Sequence, residues 1–358
     1  MPLEKPLEKP DSVYLLIIFF LLGLGVVAVF SSSFYYAWAR GQNSEFYYMR
    51  SHLIKLAIGL ILFFVVMNIP YKRLKPFIFV GYILILLGLI LTLILGHKSY
   101  GARRWLFNLQ VSEFAKIWLI VYLASFLTRH KEVINSFRKT ILPGLLIIGP
   151  VIILILIEPS FSMASLLIFV TGLLFFTAGL KWRYFCLGMI IVLSALTLLY
   201  LSYPHARLRL ASLFGGQTAY QIKQSLIAIG SGGLLGTGPG GGRQKFLFLP
   251  CPYNDFIFAS VAEEFGFLGS IFILGIYLYL YRRGIRIARF VEDDFGRYLV
   301  LGFSYLIFVY FLCHVSVSLG ILPPTGLPLP FLSFGGSALI SNLIGAGLVL
   351  NVSRWRID

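Results

Sequence analysis

The feature of this sequence that most limits its fold is a series of long apolar stretches separated by clusters of charge. Hydrophobic residues make up 58% of the 358 residues and charged residues only 12%, so a water-soluble core would leave a largely apolar surface. A helix needs roughly 20 apolar residues to cross the ~30 Å hydrocarbon core of a bilayer, and many windows reach that length. The sequence therefore predicts an all-α integral membrane protein.

About ten transmembrane helices are predicted from the spacing of the charge clusters. Some of these helices are short for a full crossing of the bilayer, so their predicted boundaries are approximate. Residues 1–12 are predicted to be a polar tail and 13–358 a single membrane domain, with one large loop over 204–264 between the seventh and eighth helices. The predicted spans are 13–34, 52–69, 76–96, 111–128, 141–157, 161–179, 184–203, 265–281, 298–320 and 335–352.

The distribution of positive charge predicts the orientation of the chain. With the amino terminus in the cytoplasm, the inner segments hold eighteen of the thirty lysines and arginines, and such an excess is typical of cytoplasmic loops. Both termini are then cytoplasmic and the loop over 204–264 is extracytoplasmic. The net charge of +16 is explained by basic residues that face anionic membrane lipid, so no nucleic-acid partner is predicted.

Few acidic residues remain for chemistry outside the cytoplasm. Asp255 follows a proline-bounded turn and precedes the apolar run FIFASVA, so it could be a helix N-cap or a general base. Glu158 is predicted to be a solvated loop acid. In this orientation, the carboxylates in spans or outside are Glu45, Glu113, Glu158, Asp255, Glu263 and Glu264.

Two motifs place charge at or near the fourth span. Glu113 and Lys116 stand three residues apart and share a helix face; they are either a functional pair or a buried structural pair, since ionisable groups at such depth tend to be functional. Arg103 and Arg104, in GARRW, could bind phosphate or simply lie at the interface. Both alternatives stay open from the sequence.

The loop over 204–264 contains an unusual glycine-rich segment. Eight of the thirteen residues over 230–242 are glycine, and the segment lacks the GK[ST] ending of a Walker A loop. It is either a flexible connector or a backbone cradle for an anionic headgroup. The residues just before it favour an interfacial or re-entrant helix, and the proline-rich stretch 320–342 favours a partly re-entrant loop.

Four blocks of residues resemble one protein family in order and position. They are GARRW with SEFAK, QIKQSLIAIGSGGLLGTGPGGGRQKFLFLP, NDFIFASVAEEFGFLG and GLPLPFLSFGGSALISN. Together they resemble the SEDS family (shape, elongation, division, sporulation). The chain departs from the family pattern at Val111, Ser160, Cys251 and Tyr253.

The resemblance implies a peptidoglycan glycosyltransferase of the bacterial cytoplasmic (inner) membrane. Such enzymes polymerise lipid II, an undecaprenyl-pyrophosphate disaccharide peptide, with a class B penicillin-binding protein as partner. The blocks are closer to a division enzyme of the FtsW type than to an elongation enzyme of the RodA type. The alternatives of another class are a flippase for lipid II or another polyprenyl lipid, and a non-enzymatic scaffold in a division complex.

The resemblance also implies roles for particular residues. Asp255 is expected to be the catalytic base that activates the acceptor sugar in an inverting transfer. Glu113 and Lys116 are similar to family residues tied to the site. The departing pyrophosphate needs cations, for which Mg²⁺ is an option and the candidate side chains are Arg103, Arg104, Lys116, Arg243 and Lys245.

Overall fold

The computed structural model describes residues 9–42, 44–99, 102–188, 190, 194, 197 and 217–355, and the described chain is predominantly helical. A short helical stretch over 182–188 follows α6. The principal α-helices are α1 (Ser12–Ala39), α2 (Tyr47–Asn68), α3 (Ile78–Leu95), α4 (Val111–His130), α5 (Leu142–Ile157), α6 (Phe161–Thr177), α7 (Gln217–Ser231), α8 (Ile257–Phe290), α9 (Asp294–Ser318) and α10 (Gly336–Ser353).

The described helices agree with most of the predicted spans. Eight described helical segments are long and apolar enough to cross a bilayer, where α5 counts together with the helical turn before it as Phe137–Ile157, and α6 is a shorter apolar helix. Nine of the ten predicted spans coincide with these helices. The seventh, 184–203, and the first part of the loop, 204–216, lie largely or wholly outside the described residues. The count of ten and the single large loop therefore stay predictions.

Two local features differ from the prediction. The eighth span begins at Ile257 and not at residue 265, because FIFASVA is itself helical, and the helix is interrupted at Gly266, where φ is 66° and ψ is −164°. An antiparallel hairpin, β1 (His97–Ser99) and β2 (Ala102–Trp105), lies between α3 and α4. It pairs backbone groups locally where the chain turns between two helices.

Helices α2 and α10 pack closely through small residues and one amide. A Cβ added to Gly59 would lie 2.6 Å from the Leu343 side chain, and one added to Gly347 would lie 2.8 Å from the Phe63 carbonyl oxygen. The Asn351 side chain donates to the carbonyls of Val66, Met67 and Ile69 at the end of α2. Close backbone approach and satisfied carbonyls are what helix packing in a bilayer requires.

The two ends of the described chain meet on one side of the bundle. The Asp11 amide donates to Ser353 Oγ at 3.0 Å, and the Arg283 guanidinium pairs with the Asp11 carboxylate at 2.8 Å. Lys131, just after α4, pairs with Asp294 at the start of α9 at 2.8 Å. Many of the charges predicted to be cytoplasmic therefore gather at one end, which we call the basal end.

Candidate active site at the Asp255 turn

Asp255 lies in a turn over residues 252–256 that leads into α8 and is half-buried. Its amide donates to the Cys251 carbonyl at 3.2 Å. The helix starts at Ile257, and its N-cap, Phe256, makes no side-chain capping bond. The N-cap residue of α8 is therefore Phe256 and not Asp255, and the role of Asp255 as a general base stays a prediction. Burial, together with the nearby Asp255 carboxylate, raises the pKa of the Cys251 thiol, so that this thiol stays protonated at neutral pH.

The turn is fastened to the loop that precedes α10. The Phe334 amide donates to the Tyr253 carbonyl at 3.0 Å, and Ser333 Oγ donates to the Asn254 carbonyl at 2.9 Å. The Tyr253 ring lies 4.5 Å from the Tyr48 ring on α2 and 5.5 Å from the Phe334 ring. Tyr253, a departure from the family pattern, thus packs the turn against α2 and the loop.

Glu113 and Lys116 form an ion pair inside the bundle. Lys116 Nζ lies 2.5 Å from Glu113 Oε2, and their side chains are 0% and 2% exposed. Lys116 also donates to Asn342 Oδ1 at 3.0 Å, while Ser341 Oγ and the Tyr310 hydroxyl approach Glu113 within 3.4 Å. The partners of this buried ion pair therefore hold α4, α9 and α10 together.

This ion pair is connected to the Asp255 turn through the start of α10. The Gln110 amide, just before α4, donates to Ser337 Oγ at 2.9 Å. Ser333, which binds the turn, and Ser341, which binds Glu113, are separated by the first residues of α10. These contacts hold α4 against α10, and the predicted role of the pair in substrate binding stays a prediction.

Arg103 and Arg104 bind the carbonyl ends of two helices. Arg103 Nη1 donates to the carbonyls of Leu93 and Ile94 at 3.2 Å each, and its side chain is exposed. Arg104 donates through Nε to the Glu158 carbonyl at 3.0 Å and through Nη2 to the Pro159 carbonyl. These bonds satisfy carbonyls that a helix end leaves without partners. Arg103 keeps donors directed to solvent, which a phosphate could use.

Lys245 is buried and uses its three donors within the chain. Its ammonium contacts Glu264 Oε1 at 2.8 Å, Ser31 Oγ at 2.9 Å and the Gly240 carbonyl at 2.7 Å. Ser31 also donates to Glu264. Because an ammonium has three donors, this arrangement leaves none for substrate and ties the glycine-rich segment to α1. The predicted role of Lys245 in phosphate binding does not fit this arrangement.

The glycine-rich segment over 230–242 packs against the start of α8. The Thr237 amide donates to the Glu263 carbonyl at 3.0 Å, and a Cβ added to Gly236 would lie 2.1 Å from the Glu264 carbonyl oxygen. The flexible-connector interpretation is therefore wrong for this arrangement. Consecutive amides just after the segment, those of Arg243 and Gln244, do hold an anion, but it is the carboxylate of Glu263, with N···O distances of 2.7 and 3.2 Å.

Arg243 differs from the buried cations because its side chain is exposed. It lines an open cleft with a volume of about 470 Å³, together with Ser231, Thr237 and Gln244. Among the predicted phosphate ligands, Arg103 and Arg243 therefore offer exposed guanidinium groups, whereas Lys116 and Lys245 stabilise the frame around the site.

The sequence interpretation missed two groups. Glu158 is 0% exposed, so its prediction as a solvated acid is wrong; burial raises the pKa of its carboxyl to about 8, with Arg104 acting in the opposite direction. Nothing in the local sequence signals that burial. Lys55 on α2 lies with its ammonium 4.8 Å from the Phe334 ring centroid. Its signal was available, since a lysine within a predicted span is unusual.

A bundle of apolar helices with ion pairs in its interior is the architecture of a multi-pass membrane protein. The chain matches the family model "Cell cycle protein" (FtsW, RodA, SpoVE) over residues 12–357. It belongs to that family, as its motifs predicted.

Curated relatives match over almost their whole length. The chain is 35% identical to stage V sporulation protein E of Bacillus subtilis, covering 97% of this chain and 98% of that protein. It is 36% identical to the probable peptidoglycan glycosyltransferase FtsW of Coxiella burnetii, covering 93% of each. The protein of the same name from Geobacter metallireducens is also 36% identical, over 98% of this chain and 96% of that one.

Solved structures have the same fold. A chain from a study of "structural coordination of polymerization and crosslinking by a peptidoglycan synthase complex" superposes with a TM-score of 0.80 at 28% identity, covering 98% of this chain and 99% of that one. The rod shape determining protein RodA of Thermus thermophilus superposes with a TM-score of 0.73 at 28% identity, covering 98% of each chain.

Proposed function

We propose that this chain is a peptidoglycan glycosyltransferase that polymerises lipid II during cell division. Relatives named FtsW support the activity and the division role, with RodA-type elongation as the alternative. The observation that carries the proposal is the placement of Asp255, which is half-buried, is not the N-cap of α8 and lies on a turn held by hydrogen bonds from the loop before α10.

In the proposed reaction, the Asp255 carboxylate accepts the proton of the 4-hydroxyl group of the acceptor GlcNAc. The oxygen then forms a bond to the anomeric carbon of the donor MurNAc, and the bond from that carbon to the pyrophosphate oxygen breaks with inversion. Undecaprenyl pyrophosphate leaves with the bonding electron pair. Arg103 and Arg243, whose side chains are exposed, would stabilise the charge that develops on the leaving group.

The proposal is tested with purified Asp255→Asn protein, lipid II and separation of the polymer on a gel. A positioned base typically contributes about 10²- to 10⁴-fold in rate, so we expect polymer to fall by at least about a hundredfold. Glu292→Gln is the matched control, because Glu292 is an exposed acid between α8 and α9. Polymer at the normal level from a folded Asp255→Asn protein would refute the proposed base.

The same proposal includes a location and a partner. The basal charges around Asp11, Arg283 and Lys131 support a cytoplasmic basal end by the positive-inside rule. With that orientation, the Asp255 turn would lie near the outer face of the bacterial inner membrane. The similarity to a chain of a peptidoglycan synthase complex supports a class B penicillin-binding protein as partner.

A divalent metal fits the site only in a limited way. The described residues contain no group of three or more His, Cys, Asp or Glu placed to hold a metal ion. We propose that any Mg²⁺ would be held by the substrate pyrophosphate and water and not by a protein cage, which is the usual manner for this ion at phosphates. Such an ion would neutralise leaving-group charge. Polymerisation in EDTA, followed by addition of Mg²⁺, tests this.

The flippase alternative has less support from the geometry. A transport path requires charges that a substrate can reach along the depth of the bundle. The intramembrane pair that suggested such a path, Glu113 and Lys116, is at most 2% exposed and bound by α9 and α10. A non-enzymatic scaffold would make no polymer with or without Asp255→Asn, so the polymerisation assay also distinguishes the enzyme from that alternative.

A further inference from the structure

We propose that Lys55 binds the pyrophosphate of the polyprenyl-linked donor beside the Asp255 turn, a role that rests on the proposed function. Lys55 lies on α2, one of the helices long and apolar enough to span the bilayer, and it is half-buried. Ionisable groups in such helices are costly unless they are paired or serve a ligand.

The Lys55 ammonium has no carboxylate partner and no hydrogen bond among the residues that the structure describes. Among the described residues, Nζ lies 4.8 Å from the centroid of the Phe334 ring and near the His52 ring. Lys116, by comparison, has Glu113 and Asn342, and Lys245 has Glu264 and Ser31. Lys55 thus has positive charge available for a ligand, whereas the other two lysines do not.

The position of Lys55 places that charge next to the proposed base. Phe334, over which the ammonium lies, donates its amide to the Tyr253 carbonyl at 3.0 Å. Tyr253 is two residues before Asp255 in the same turn. A group bound by Lys55 would therefore lie beside the turn that holds the carboxylate.

The surroundings of the ammonium favour an anion. A Cβ added to Gly336, the first residue of α10, would lie 3.0 Å from Lys55 Nζ, so the charge rests against the amino end of that helix. This end carries partial positive charge and has no side-chain cap. The ammonium and the partial positive charge of that helix end both attract an anion that contacts them, and a pyrophosphate carries the negative charge to do so.

The test measures binding without turnover, in full-length protein that also carries Asp255→Asn. Displacement of a fluorescent polyprenyl pyrophosphate by undecaprenyl pyrophosphate and by uncharged undecaprenol separates the headgroup from the chain. A hydrogen bond to a charged group is worth about ten- to a hundredfold in affinity. Lys55→Gln should therefore weaken the binding of undecaprenyl pyrophosphate by that factor and leave the binding of undecaprenol unchanged. Lys55→Arg should restore most of the affinity.

Arg50→Gln is the control, because Arg50 is an exposed cation on the same helix. This variant should bind both ligands with unchanged affinity. Unchanged pyrophosphate affinity in Lys55→Gln, or an equal loss for undecaprenol, would overturn the proposal. Lys55→Met, which keeps the apolar stem, replaces the glutamine variant if that protein does not fold. If the Asp255→Asn protein made polymer in the gel assay, the role of Asp255 as the base would be refuted, whereas the binding result for Lys55 would remain valid.

Discussion

At the scale of single residues, Glu158 shows how the fold changes the chemistry of a loop acid. Its carboxyl is fully buried and, within the described residues, both oxygens lack hydrogen-bond partners. Burial raises the pKa to about 8 from 4.5. The folded protein therefore binds a proton that the unfolded chain has released between these two pH values, so Glu158 should make stability fall as the pH rises through that window.

We expect Glu158→Gln to remove this dependence. Below pH 4.5 the neutral acid and the amide should behave alike, whereas at pH 8 the variant should be more stable, by about 2 kcal/mol or more. Thermal unfolding in detergent from pH 4.5 to 8.5 measures this difference in stability, with Glu132→Gln as the control at an exposed acid. Parallel pH curves for wild type and Glu158→Gln would show that the carboxyl is ionised in the fold.

A second residue-scale prediction concerns the pair of Glu113 and Lys116. Removal of one partner leaves an uncompensated buried charge, which typically costs about 3–5 kcal/mol. We therefore expect Glu113→Gln and Lys116→Met each to destabilise the protein strongly, and the double variant to be more stable than the sum of the single changes predicts. Thermal unfolding of the wild type, the two single variants and the double variant gives the coupling free energy between the two side chains.

Polymerisation by the double variant separates the two interpretations of the pair. If Glu113 and Lys116 only hold α4 to α10, a folded double variant should keep substantial activity. A folded double variant with no activity would instead assign the pair a direct part in the reaction.

At the scale of elements, the break in α8 allows the glycine-rich segment to dock against that helix. Gly266 adopts φ 66° and ψ −164°, a combination that is essentially restricted to glycine. The amides after it, Phe267 and Leu268, donate to Gly233 and Leu234, so the break provides the bonds that dock the segment. The following part of α8 then continues as a spanning helix.

We expect Gly266→Ala to destabilise this docking by roughly 2–4 kcal/mol, since it combines backbone strain with a Cβ that would lie 2.3 Å from the Gly236 amide nitrogen. Gly275→Ala, on the same helix with no atom within 4 Å of the added Cβ, is the control and should be neutral or stabilising. Proteolysis of the segment over 230–250 measures the docking. Equal protection in both variants would show that the break is not needed.

At the scale of the whole molecule, the arrangement makes a prediction about sidedness. Phe107, between β2 and α4, is 83% exposed, and Glu292 is exposed at the other end of the bundle. In a chain whose three cysteines are replaced by serine, Phe107→Cys should react with a membrane-impermeant maleimide in intact spheroplasts. Glu292→Cys should react only after the membrane is opened. The reverse pattern would place Asp255 at the cytoplasmic face and exclude the proposed reaction.

Sequence patterns predicted much of this molecule because membrane spans are read from length and hydropathy. Nine predicted spans lie on described helices, and the partnership of Glu113 with Lys116 was expected from their spacing. The glycine-rich segment was ambiguous, because its eight glycines permit either a flexible connector or a backbone cradle for an anion. Only its contacts with Glu263 and Glu264 distinguish the two.

What the sequence by itself determined is the class of protein, the approximate spans and the family, since these depend on local composition and on motifs. Tertiary structure alone decided which charges are available to a ligand. Lys245 meets Glu264 at 2.8 Å, whereas Lys55 meets no carboxylate among the described residues and lies over the Phe334 ring. The physical reason is that the ionic state and availability of a side chain depend on the groups that surround it in space, and those come from distant parts of the sequence.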